Sequence, residues 1–309
     1  MEYKIIDADG HVIEDDSLFE YLDLSYRLQD HQVSWDRLFP SLDFHHIGGH
    51  STRNKKSFGG GKRVGPKEWL EFVEMADLEY AVLYPTKGLR IGNISHPDWA
   101  CYVARAYNNW LHDFCVAAGE RVVGAAAIDL RDAEEAACEA RRCVKEFDFK
   151  AVYINPVPVG EHRLYDDFYE PLWNTLEELD VPLAVHAGTG NAADQMLYYY
   201  LPRLRTAQTT VAFTMGNMLA CTALIMGGVL EQHPRLRVVH LESGAGWVPF
   251  WLDRLAASIQ GGFRGLDIPG LKMLPVEYFK RQCFISADPD DPGINPTTPF
   301  IIDLIGTAL

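Results

Sequence analysis

The chain has 309 residues, 48% of them hydrophobic, which suffices for one large domain or two modest ones with real cores. A formal net charge of -15 argues against nucleic acid or an anionic membrane as the main partner, since either demands a basic face. A small molecule or another protein is expected instead. Six cysteines, Cys101, Cys115, Cys138, Cys143, Cys221 and Cys283, form no C-x-x-C pair and read as reduced thiols. With no start resembling a signal peptide, and no apolar run read as reaching the ~18 residues of a membrane span, a soluble cytoplasmic protein is expected.

In chain order, the first β-rich run is KIID, 4 to 7, which leads into Asp7-Ala8-Asp9-Gly10-His11. Alternation by two places Asp7, Asp9 and His11 on one face of a strand. Further runs follow at YAVLYP (80 to 85), RVVGAAAIDL (121 to 130), KAVYINPV (150 to 157), VPLAVHAG (181 to 188), LRVVHLES (236 to 243) and CFISADP (283 to 289). Helix-period segments lie between them, over 97 to 119, 132 to 147, 165 to 180 and 209 to 233; Pro97 and Asp98 open the first and Gly119 closes it. Strand alternating with helix predicts parallel strands and right-handed crossovers. Strands buried on both faces, in a number close to eight, predict a TIM-type (β/α)8 barrel forming one domain over residues 1–309.

The spacing breaks once, at an insertion over 12–79 that far exceeds the usual connection and that a barrel would carry above its C-terminal face. It holds a predicted helix near DSLFEYLDLSYRL, a segment from His45 to Val64 with Lys55, Lys56, Lys62 and Arg63, and a helix opening at Pro66. The ordinary reading of the middle segment is a solvated loop; the alternative is a lid that attracts an anion. Other motifs fall away. Gly188 to Ala193 fits G-x-G-x-x-A without the acid a dinucleotide site needs; Gly59-Gly60-Gly61-Lys62 precedes Arg63 rather than Ser or Thr; Ser243 stands in ESGAG, not G-x-S-x-G.

Chemistry concentrates at strand ends. Asp7, Asp9 and His11 close the first strand, His186 closes PLAVH, and His240 closes RVVH with Glu242 two residues on. A single strand histidine is usually a satisfied core residue. Packing has no reason to place several at equivalent ends, whereas a divalent metal with an open coordination position does.

The strand end DADGH, the later VHAG and VVHLESGAGWVPFWLDRL, and YPTKGL through RAYNNWLHDF resemble the amidohydrolase superfamily. More narrowly they resemble the amidohydrolase-related branch that includes aminocarboxymuconate semialdehyde decarboxylase and aromatic-acid decarboxylases. The resemblance implies a His-x-His pair at the first strand, which falls on Asp9 and His11, a ligand at His186, and a sixth-strand histidine at His240. Asp9 in place of the first histidine hardens the site. An eighth-strand aspartate is also implied, but IIDLIGTAL, Ile301 to Leu309, stands only where that strand should begin. The last ligand is lost, the chain is shortened, or Asp288 is the acid and the strand count is off by one. About 40 residues between Ser243 and Ile285 leave room for one helical crossover, which favours loss or shortening.

What the resemblance implies is a metal-dependent hydrolase or non-oxidative decarboxylase (carboxy-lyase) acting on a small carboxylated or aromatic substrate. Asp9, His11 and His186 would hold one divalent ion, zinc foremost and manganese or magnesium as alternatives. His240 would move a proton, with Glu242 orienting it or anchoring the following helix. The rival is a catalytically silent small-molecule-binding barrel without a complete metal shell. An unclosed barrel would expose strand edges that partner chains could cover, so a homo-oligomer, dimer or higher, is expected.

Overall fold

In the computed structural model the described residues are 5–22, 64–94, 96–158, 160–186, 197, 199–201, 203–260, 268 and 270–287. Seven strands lie in one parallel sheet in chain order: β1 (Ile5–Val12), β2 (Leu78–Pro85), β3 (Val122–Ala127), β4 (Ala151–Ile154), β5 (Leu183–His186), β6 (Val238–Leu241) and β7 (Cys283–Ile285). Each follows a predicted β-rich run. The sheet curls into an incomplete TIM-type barrel, and among the described residues no ladder joins β7 to β1. The final run from Ile301, Asp288, the His45 to Arg63 part of the basic loop, and Gly188 to Ala193 all lie outside the described residues.

The crossovers are helical, and several of the helices are amphipathic. They are α1 (Pro66–Met75), α2 (Pro97–Ala118), α3 (Ala133–Phe147), α4 (Glu170–Leu179), α5 (Arg205–Met226), the short α6 (Val229–Gln232), α7 (Trp247–Gln260) and α8 (Pro275–Gln282). Helix α3 shows why they form where they do. Asp132 caps it by accepting from the Glu135 N–H at 3.0 Å, and Ala133, Ala136, Ala137, Ala140 and Cys143 make the buried stripe. Asp148, left-handed at φ 57°, ends it and turns the chain into β4.

Two elements differ from expectation. Two helices, α7 and α8, separate β6 from β7 where one had seemed to fit, yet no further strand lies among the described residues between them, so β7 pairs directly with β6. Helix α5 is also apolar enough over Thr206–Met226 (mean hydropathy 1.4) to cross a membrane by length and composition, although no such run was foreseen. Its residues Ala220, Cys221, Leu224 and Ile225 are buried in the core, while Met215 and Leu219 are exposed.

Close packing sets the position of β1. A Cβ on Gly10 would lie 2.8 Å from the Trp69 ring and 2.9 Å from the Leu83 side chain, so only glycine lets β1 approach both. Gly10 pairs with Leu83 and faces the helices; its neighbours Asp9 and His11 therefore face the barrel interior.

Candidate metal centre

Three side chains meet at the C-terminal ends of β1 and β5. His186 Nε2 lies 3.1 Å from His11 Nε2 and 3.2 Å from Asp9 Oδ1, and the third side, Asp9 Oδ1 to His11 Nε2, is 4.0 Å. The imidazole rings meet edge to face, with centroids 4.9 Å apart. His11 is oriented from behind. Its Nδ1–H donates to the Pro85 carbonyl at 2.9 Å, which leaves the Nε2 lone pair facing the cluster. The Pro85 loop is held in turn by Glu14, a buried carboxylate accepting from the Lys87 N–H at 3.0 Å and the Gly88 N–H at 2.9 Å.

Two imidazole nitrogens and a carboxylate oxygen turned towards one another are three electron-pair donors with little to hold them together except a shared cation or proton. Asp9 Oδ1 is buried and accepts no well-aligned hydrogen bond from the protein. The donor set and its orphaned oxygen fit one divalent ion. Burial raises the Asp9 carboxyl, but His186 and His11 outweigh it and hold the group below the ordinary carboxylate range. Burial, and then the neighbouring His186, push His11 down to about 4, so it is a neutral ligand at neutral pH.

The remaining expected residues are placed differently. Asp7 turns to the backbone, its Oδ1 accepting from the Asp9 N–H at 3.1 Å. His240 pairs across the sheet with Val185, and Leu241 with His186, so the His240 ring points to the face opposite His186. It sits in the helical layer, with Nδ1–H donating to Asn217 Oδ1 at 2.9 Å, the Phe279 ring stacked at 6.0 Å and Trp247 edge-on at 5.7 Å. The structure does not bring it to the metal set. Glu242 reaches only the outer side of His186, at the ring nitrogen opposite Nε2. Its φ of 51° breaks the strand alternation and brings Oε2 to 3.9 Å from His186 Nδ1.

Three nearby groups carried no sequence signal of their own. Tyr84 tilts against His186 with ring centroids 5.4 Å apart, and Tyr153 meets Tyr84 edge-on at 6.3 Å; both rings are buried and brace the imidazole. Ser286, just past β7, bonds both Asp9 and Glu242. Only the alternation of CFIS, which turns Ser286 to the same side as Phe284, could have pointed to it.

A gamma-resorcylate decarboxylase from Rhodococcus jostii is 31% identical over 223 residues, covering 69% of this chain and 64% of that protein. A 2-keto-4-carboxy-3-hexenedioate hydratase from a Sphingobium species is 31% identical over 172 residues, 53% of this chain and 44% of the relative. The chain thus spans roughly half to two thirds of the length of these relatives. A 5-carboxyvanillate decarboxylase from Novosphingobium aromaticivorans, solved with manganese and 4-hydroxy-3-methoxy-5-nitrobenzoic acid, shares the fold at a TM-score of 0.72 and 21% identity, over 98% of this chain and 83% of that one. The family model described as Amidohydrolase matches residues 6–291, nearly the whole chain, and on that match the chain belongs to the amidohydrolase family.

Proposed function

We propose that this chain is a metal-dependent, non-oxidative decarboxylase of a small aromatic carboxylate. The observation that carries it is the convergence of Asp9 Oδ1, His11 Nε2 and His186 Nε2 at the barrel mouth. The similarity to gamma-resorcylate decarboxylase supports carboxy-lyase chemistry at that site. When bound, a divalent ion would supply a fixed positive charge that orients the substrate's carboxylate and an adjacent oxygen.

Decarboxylation then needs one proton at the ring carbon that bears the carboxylate. As that C–H bond forms, the C–C bond breaks, its electrons return to the ring, and carbon dioxide leaves. We assign the proton to Glu242 rather than to His240, because Glu242 stands beside His186 with a partly exposed side chain, whereas the His240 ring is wholly buried. His240, fully buried against Phe279 and Trp247, takes a packing role in this reading.

Two imidazoles and a carboxylate suit zinc, while the solved neighbour holds manganese; elemental analysis of the purified chain distinguishes them. The six free thiols agree with a cytoplasmic location. A homo-oligomer, dimer or higher, is expected, and sedimentation would test it. The hydratase relative supplies the competing reaction. Incubating the metal-loaded chain with 2,6-dihydroxybenzoate and related hydroxybenzoates should release carbon dioxide, and chelation should stop it. No release from any hydroxybenzoate, with hydration of an unsaturated carboxylate instead, would replace this reading.

A further inference from the structure

Among the described residues, Ser286 is a side chain through which the end of β7 reaches β1. Its backbone N–H donates to the His240 carbonyl at 2.9 Å and so continues the pairing of β7 with β6. Its hydroxyl makes two more bonds, one from the Glu242 N–H at 3.2 Å and one to Asp9 Oδ2 at 3.4 Å. Their directions are fixed by chemistry. An amide N–H can only donate, so it takes a lone pair of Ser286 Oγ; an ionised carboxylate can only accept, so it takes the hydroxyl proton. One hydroxyl thereby links β1 and β6 across a gap that no ladder closes among the described residues.

The consequence for Asp9 is a division of labour between its oxygens. Oδ2 is held by Ser286, while Oδ1 faces His186 at 3.2 Å and has no other well-aligned partner. The consequence for Glu242 is a backbone anchor at a left-handed residue, a conformation that is strained for a non-glycine and needs holding in place. We propose that Ser286 is a positioning residue which makes Asp9 a one-oxygen metal ligand and sets Glu242 beside His186. This rests on the metal-dependent reading above.

The test measures metal binding, not only turnover. Manganese and zinc affinities of the full chain are determined by competition with a chelating dye, for the parent, Ser286→Ala and Ser286→Thr, together with the melting temperature of each metal-free protein. Loss of an orienting partner typically weakens a metal site by about 10- to 100-fold. Ser286→Ala should lose at least about 10-fold in affinity at an unchanged metal-free melting temperature, and Ser286→Thr, which keeps the hydroxyl, should restore it. An alanine variant that binds both ions as tightly as the parent overturns the role of Ser286 and leaves the metal site standing. A parent chain that takes up neither ion overturns the metal-dependent reading and this inference together.

Discussion

Glu242 and His240 stand two positions apart at the end of β6, yet they face different surroundings: one the His186 imidazole, the other a layer of aromatic side chains. Substitution should therefore separate them. Glu242→Gln keeps the size and removes the transferable proton, so metal content should persist while kcat falls about 100-fold or more. His186→Ala should lose metal and turnover together, because it deletes the vertex nearest both other donors. Metal-to-protein ratios measured beside kcat decide both points, and a Glu242→Gln chain turning over at the parental rate would remove the carboxyl from the reaction. The sequence alone showed that Asp9, His11 and His186 share strand ends, since alternation by two is written in the letters. It could not show that His240 turns outward, because facing depends on the register Val185↔His240, and register is set by tertiary packing. The left-handed turn at Glu242 was equally silent, for glutamate carries no preference for it.

At the scale of an element, β1 is both a wall of the barrel and the carrier of two metal donors. Its position is set by the absence of a side chain at Gly10, where a methyl would press on Trp69 of α1 and Leu83 of β2. Gly10→Ala should push the strand off its neighbours, with a stability loss of about 1 to 3 kcal/mol from overpacking and a weaker metal site, both read by melting with and without added ion. Unchanged melting in both conditions would mean that the strand tolerates the shift. The loop after β2 depends on Glu14 in a similar way. Burial raises its carboxyl pKa even though the Lys87 and Gly88 N–H groups favour the charged form. Glu14→Gln keeps one acceptor for two donors, so it should cost about 1 to 3 kcal/mol and loosen the Pro85 carbonyl that orients His11. Helices and strands of this kind were legible because hydrophobic period and caps are local. The glycine contact and the buried carboxylate are long-range, joining β1 to α1 and to the end of β2, and no window of sequence contains both partners.

The molecule as a whole is a sheet that curls without closing among the described residues, and its outer strands show it: Ile5, Ile6 and Phe284 are large apolar side chains left more than two-fifths exposed. Much of the buried core lies in the helical layer behind the sheet. His240 is in that layer, and burial pushes its imidazole down to about 3. In the unfolded chain the same group titrates near ~6.5. Between those values the unfolded state binds a proton that the folded state does not, so stability is full above about pH 6.5 and is lost as pH falls towards about 3. The slope for one such group is about 1.4 kcal/mol per pH unit. His240→Gln removes the titrating ring but leaves an amide that can still donate to Asn217. It should lower stability at pH 8, through lost stacking on Phe279, while flattening the decline between pH 6 and pH 4 by about one proton's slope. Urea midpoints of parent and variant across that range test this, since groups common to both cancel in the difference. Parallel curves would place the His240 ring in contact with water, contrary to its packing. A variant that also kept its metal and its turnover would complete the case that this histidine supports the barrel from outside rather than working in its mouth.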